Sequence, residues 1–305
     1  MSNFGRVFIV FIAMLTWVAL PTLCGADLGS ATLPAAPVKT GEFQGSFTFR
    51  DPLSARSQIA GRLKLSEKEM GDDYVLSERP FWIYVPANYD PGTAYGIVVY
   101  LGYKDSPSTP PLWQAVADKA HLIFITPVCH GGAQYPPSVP QWQMVGLALD
   151  AVQNLKRQYN IDSSRIYQMS WNSGSMQAAL ATADVFTGFI ITFDHTWCEP
   201  LTLSDGRSYK PTFAHPAASL FSQARHRAFY IIEDEPSGAD QPPALRERVM
   251  KREGFTHIKD AQLSLRDDLH YPLFKAEWFE QDALPFLDAA AAEAKPAQRA
   301  DHGGG

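Results

Sequence analysis

From about residue 80 the chain alternates short apolar runs with longer segments whose apolar positions recur every three or four residues. Ile97-Val98-Val99-Tyr100-Leu101 is continuously apolar and stops at Gly102, as expected of a strand buried on both faces of a parallel sheet. Residues 81–85, closed by Pro86, read the same way, as do 122–126, 165–169, 189–193 and 228–232, with a last strand expected near 261–265. Helical spacing is expected over residues 112–120, 142–159, 174–182, 243–252 and 274–292. In the second of these, Val145, Ala148, Leu149, Val152 and Leu155 form one apolar face. Residues 47–49 and 59–65 are candidate early strands. A polar, proline-containing excursion spans 195–216, and no internal repeat is visible. Strands alternating with helices predict an α/β fold, a mostly parallel sheet covered by helices on both faces.

The first residues have a different pattern. After the single cation Arg6 comes an unbroken apolar run from Val7 to Leu20, then Pro21 and Cys24-Gly25-Ala26. A run of this length and ending predicts an export signal at residues 1–26, cut after Ala26, with the protein periplasmic or secreted. It is short for a membrane span. A lipid anchor at Cys24 is the weaker alternative, because Leu23 is bulky where a lipoprotein signal has a small residue. Cleavage removes one cation and shifts the formal charge from −6 to −7. That mild acidity, without a basic run, argues against nucleic acid or anionic lipid as a partner. Residues 27–292 are then one domain and 293–305 a disordered tail. Two cysteines remain after cleavage, Cys129 and Cys198, and follow strands about 14 Å apart in the expected sheet; a disulfide between them needs loops that lean inward. Together with His130 and His195 they supply zinc-type ligands without zinc-motif spacing, so neither metal nor cofactor is expected.

The stretch from Arg165 to Ser175 carries the chemistry. It reads Arg-Ile-Tyr-Gln-Met-Ser-Trp-Asn-Ser-Gly-Ser, a strand, a tight turn and the start of a helix. A nucleophile elbow, G-x-S-x-G, needs small residues two before and two after its strained central residue. Only one register satisfies this, with Ser170 and Gly174 flanking Asn172. Centring the turn on Ser173 puts Trp171 in a small position, and centring it on Ser170 puts Gln168 there. Asn172 therefore stands where a hydrolytic serine would be, and an amide is a very poor nucleophile.

With this elbow, the chain resembles the secreted α/β-hydrolases of the esterase and polyhydroxyalkanoate-depolymerase-like group. The likeness covers roughly residues 73–288 and rests on four blocks: Phe81 to Asp90, Val145 to Val152, the elbow with its helix, and His270-Tyr271-Pro272 ahead of Glu277-Trp278-Phe279. It implies a triad in the order nucleophile, acid, histidine. His270, after the last strand, takes the histidine position. Ser237 falls at the acid position, with Asp234 or Glu235 in the same loop, or Asp194 after the preceding strand, as substitute acids. The implied oxyanion hole uses backbone N–H groups of Ser173 and of the Gly102-Tyr103 turn.

Losing the nucleophile of such a unit costs about a million-fold in turnover. The leading expectation is an exported protein with a degenerate site, non-catalytic or very weakly active, holding a small-molecule or polymer ligand. The alternative is a divergent carboxylic-ester hydrolase that uses His270 and a loop acid such as Asp234. Tyr103, Trp171 and Trp197 either face an apolar ligand or pack the sheet's rim.

Overall fold

In the computed structural model, residues 38–101, 111–128, 141–171, 175–192, 201–202, 208–209, 218–233, 243–262 and 276–300 are described. All belong to the compact unit Val38–Gly305. Its strands are β1 (Gly41–Ser46), β2 (Pro80–Val85), β3 (Tyr95–Leu101), β4 (Leu122–Pro127), β5 (Ile161–Trp171), β6 (Gly188–Thr192), β7 (Leu201–Thr202), β8 (Ser208–Tyr209), β9 (Ala228–Glu233) and β10 (His257–Gln262). Its helices are α1 (Arg56–Leu63), α2 (Glu67–Met70), α3 (Pro111–Ala120), α4 (Gln141–Gln158), α5 (Ser175–Thr182), α6 (Ala218–Ala224), α7 (Pro243–Arg252) and α8 (Leu284–Ala300).

Eight of the strands form one sheet in the order β1-β2-β4-β3-β5-β6-β9-β10. The pairs β1/β2 and β2/β4 are antiparallel, and the remaining ladders, from β4 to β10, are parallel. The two-residue β7 and β8 pair with each other, apart from the sheet. Side chains of β5 divide the core. Ile166 packs with α1, α4, α5, α6 and α7 on one face, and Tyr167 and Met169 pack with α3 and α8 on the other. The expected α/β fold with helices on both faces is what forms. Among the described residues no helix is long and apolar enough to cross a membrane.

Two glycines set close approaches. A Cβ at Gly188 would lie 2.8 Å from the side chain of Leu287, so a larger residue there would have to push that side chain of α8 aside. A Cβ at Gly146 on α4 would lie 2.5 Å from the Tyr74 hydroxyl, and Tyr74 packs its ring 5.8 Å from Trp142.

Four boundaries differ from expectation. Residues 59–65 are not a strand. Asp51 caps a single helical turn, Pro52–Ser54, by accepting from the Leu53 N–H at 2.7 Å, and α1 follows. It ends at Lys64, which sits in the left-handed region at φ 54°. The apparent alternation of Leu63 and Leu65 thus straddles a helix stop, where Leu65 N–H donates to Ala60 O at 3.0 Å. The first strand is Gly41–Ser46 rather than 47–49. Its alternate residues Glu42, Gln44 and Ser46 are exposed, which hides it from a hydrophobic pattern. Phe47 lies just past the strand and packs against Phe81 at 5.0 Å. The last strand is His257–Gln262, earlier than 261–265, because an edge strand with one ladder tolerates polar residues. Finally, a π-turn at Phe279–Ala283 leads into α8, which continues well past residue 292, through the alanine-rich chain, to Ala300. The segment expected to lack structure from 293 is therefore helical at its start.

Candidate active-site edge of the sheet

The parallel strands β3, β5, β6, β9 and β10 all end at the same edge, and their register brings those ends level. Leu101 pairs with Ser170, Trp171 with Thr192, Thr192 with Ile232, and Gln262 with Glu233. Every site residue expected from the sequence follows one of these ends in the chain. Gly102 and Tyr103 follow β3, Asn172 and Ser173 follow β5, and Asp194 follows β6. Asp234, Glu235 and Ser237 follow β9, and His270 follows β10. All of them lie outside the described residues, as do Cys129, Cys198 and the segment 1–26.

The strand order fixes the spans their loops have to bridge. From β5 to β9 is two strand spacings, about 10 Å, and from β5 to β10 three, about 14 Å. His270 is eight residues beyond Gln262, a tether that reaches at most ~27 Å. Chain length therefore allows His270 to reach the end of β5. Only residues 172–174 separate the last residue of β5, Trp171, from the first of α5, Ser175. A central parallel strand joined to a helix by three residues is the context an elbow requires.

Beneath that junction lies a buried polar network that the sequence pattern did not single out. Gln168 points to the same face as Ser170, two residues along the strand, and both are buried. The Gln168 amide donates from Nε2 to Ser170 Oγ at 2.7 Å and accepts at Oε1 from Thr182 Oγ1 at 2.8 Å. Thr182 is the last residue of α5, so the network links β5 to the helix that follows it. An amide within an otherwise apolar strand, Ile-Tyr-Gln-Met, was the available signal.

On the other face, two aspartates of the terminal helical segment hold the strands that feed the site. Asp288 accepts two bonds from the Arg165 guanidinium at 2.9 and 3.2 Å and a third from the Tyr167 hydroxyl. Asp282, in the π-turn, accepts from the Tyr230 hydroxyl at 2.7 Å and from Lys259. The first clamps β5, and the second bridges β9 and β10. Burial, and then the adjoining carboxylate, hold the Tyr167 and Tyr230 phenols well above their ordinary range. The Lys259 and Tyr230 hydrogen bonds hold the Asp282 carboxyl below its own.

The opposite edge of the sheet carries a cleft of about 500 Å³ between α4 and α8, with Lys156, Asp162, Asp184 and Arg227 in its wall. These charges serve helix and strand ends. Arg62 grips Asp184 through both oxygens at 2.8 and 2.6 Å, and Arg227 Nε donates to Ala183 O at 2.8 Å. Asp162 accepts from the Ser164 N–H and hydroxyl. The cleft lies at the strands' starting ends, opposite the edge at which β5 ends. Among the described residues no group of three or more His, Cys, Asp or Glu side chains is arranged to hold a metal ion.

No protein-family model and no curated protein sequence matches the chain. Solved structures do resemble it. A ferulic acid esterase from Anaeromyces mucronatus, in complex with ferulic acid, is 14% identical, with 88% of this chain and 97% of that one covered and a TM-score of 0.49. Another ferulic acid esterase is 12% identical over 83% of this chain and 99% of its own, with a TM-score of 0.48. A thermostable esterase is 16% identical, with a TM-score of 0.47. It is covered over 62% of its length by 81% of this chain, so the chain spans less than two thirds of that relative. At these identities and TM-scores the likeness carries no argument, and the fold assignment rests on strand order and direction. An eight-stranded sheet in the order observed, in which β2 alone runs against the other strands, with α3 and α8 on one face and the other helices opposite, is the α/β-hydrolase fold.

Proposed function

We propose that this chain is an exported α/β-hydrolase-fold protein whose catalytic site is degenerate, and that the site now binds a small-molecule or polymer ligand rather than cleaving an ester. The observation that carries the reading is the junction of β5 and α5. The central strand ends at Trp171, the helix starts at Ser175, and the first residue between them is Asn172. On this reading the elbow persists while its nucleophile is an amide, and the oxyanion donors, being backbone N–H groups of Ser173 and the 102–103 turn, are unaffected by side-chain replacement. Without a nucleophile, the oxyanion hole and binding alone leave about 10³–10⁴-fold over water, too little for ordinary turnover. His270 and the loop acids Asp234 or Glu235 line the ligand site in this account, and Ser237 marks a second lost side chain.

A fluorophosphonate probe tests the elbow assignment. It is expected to leave wild type unmodified and to label the Asn172→Ser variant on the proteolytic peptide spanning position 172. Labelling of wild type, or of another serine in the variant, would place the reactive turn elsewhere. Export rests on the apolar run from Val7 to Leu20 ahead of Ala26. Sequencing of the mature N-terminus is expected to begin at Asp27, and retention of Met1 in a membrane fraction would overturn it.

A further inference from the structure

Gln168 sits at the middle of the sheet, paired with Val99 on one side and Phe189 on the other, and no part of its side chain reaches solvent. An aliphatic residue would fill that space with no desolvation cost. A primary amide is tolerated there only when hydrogen-bonded, so the bonds it makes indicate what its presence achieves. They join Ser170, at 2.7 Å, to Thr182, at 2.8 Å. The Thr182 hydroxyl also lies 2.9 Å from Ala178 O and 3.3 Å from Ala179 O, so it engages the last turn of α5 as well as the amide. Exchanging the amide's nitrogen and oxygen reverses both bonds and keeps both contacts, because each hydroxyl donates and accepts. The link therefore does not depend on which way the amide is turned.

Ser170 and Gln168 explain each other. The position two before an elbow's central residue is ordinarily glycine, for lack of space, and glycine offers an amide nothing to bond. Here the smallest hydroxyl residue meets the size limit and receives the Gln168 amide.

We propose that Gln168 is a positioning residue. Its amide fixes β5 and α5, the two elements that flank residues 172–174 in the chain, relative to each other. The proposal rests on the reading of residues 172–174 as the elbow, and its test separates the two.

Amide hydrogen exchange on the full-length protein tests the link without any activity. Gln168→Leu is expected to raise exchange within α5 at least ~10-fold more than in α4 and α8, since local opening is governed by local contacts. Gln168→Glu keeps the shape and, when protonated, both contacts. Its α5 exchange is expected to match wild type at low pH and to rise as the carboxyl ionises. Unchanged α5 exchange in Gln168→Leu would overturn the proposal, and so would an equal rise in every helix, which marks a merely global role. A second arm adds Gln168→Leu to the Asn172→Ser, Ser237→Asp protein. There kcat for p-nitrophenyl acetate is expected to fall about 10²-fold with KM nearly unchanged, the penalty of a reacting group displaced by about 1 Å. If that background protein is itself inactive, the elbow reading fails, and the exchange arm still decides on Gln168.

Discussion

Asp150 on α4 and Gln168 on β5 are both completely buried on the same side of the sheet, yet one is a carboxylate and the other a neutral amide. Asp150 accepts from the Asp51 N–H at 2.7 Å and from the Tyr74 hydroxyl at 2.6 Å, with Arg50 Nε 3.9 Å away. Arg50 in turn lies over the Tyr74 ring at 4.2 Å and pairs with Asp73 at 2.9 Å. This network fastens the chain before the central strands, around residues 50–54 and 73–74, onto α4. Gln168 fastens the two elements around residue 172. A buried charge interacts strongly over several ångströms where the dielectric is low. At Asp150 that field falls on a structural latch. Beneath the end of β5 the fold uses an amide and two hydroxyls instead, and on the proposed reading this leaves the protonation of His270 unbiased. A buried carboxyl holds the frame, and neutral hydrogen bonds hold the end of β5 to α5.

The largest effect is expected at the site itself. Asn172→Ser supplies the nucleophile whose absence costs about 10⁶-fold. If Ser237 marks a lost acid, the single change restores a serine beside a poorly oriented imidazole and the gain is small. Asn172→Ser with Ser237→Asp is then expected to exceed it by up to ~10⁴-fold in p-nitrophenyl acetate turnover. Strong rescue by the single change would show that Asp234, Glu235 or Asp194 already orients His270.

Next comes the latch. Asp150→Ala leaves the Tyr74 hydroxyl, the Asp51 N–H and part of Arg50 without their acceptor, and is expected to cost about 3–5 kcal/mol in urea unfolding. Gln168→Leu leaves two hydroxyls that retain partial alternatives, and about 1–3 kcal/mol is expected. Equal losses would erase the contrast between the two networks. Asp288→Asn, which weakens the paired bonds to Arg165, should cost about 1–2 kcal/mol without raising α5 exchange above that of the other helices.

The smallest effect is a pH slope, and its sign separates two aspartates. Burial raises the Asp150 carboxyl above its ordinary value, against the pull of Ser54, Tyr74, Asp51 and Arg50. The folded state therefore holds that proton more tightly. The contribution of Asp150 favours folding below about pH 4 and is lost as pH rises through the folded value. Asp282, held low by Lys259 and Tyr230, does the reverse: its contribution is present above about pH 4 and is lost as pH falls. Urea midpoints between about pH 3 and pH 6 should show the differences from wild type of Asp150→Asn and Asp282→Asn changing in opposite directions.

The sequence pattern revealed the parallel strands, and it did so because burial on both faces leaves unbroken apolar runs such as 97–101. It failed at the periphery. β1 exposes every second residue, β10 is a polar edge, and α1 ends in a left-handed Lys64 that imitates strand alternation. The elbow reading rests on steric limits two residues on either side, which admit one register, and its residues 172–174 lie outside the described residues. The contacts that hold β5 were not legible. Gln168 meets Thr182 across fourteen residues, and Asp288 meets Arg165 across 123. No local spacing announces contacts made by packing a helix against a strand.

The central claim is that the elbow survives without a nucleophile. Turnover of p-nitrophenyl acetate by the purified wild-type protein, set against His270→Ala under the same conditions, tests it most directly. The account predicts that the two proteins are indistinguishable, both far below the rates of active esterases. Esterase-like turnover in wild type that His270→Ala abolishes would contradict it and establish Asn172 as part of a working hydrolase.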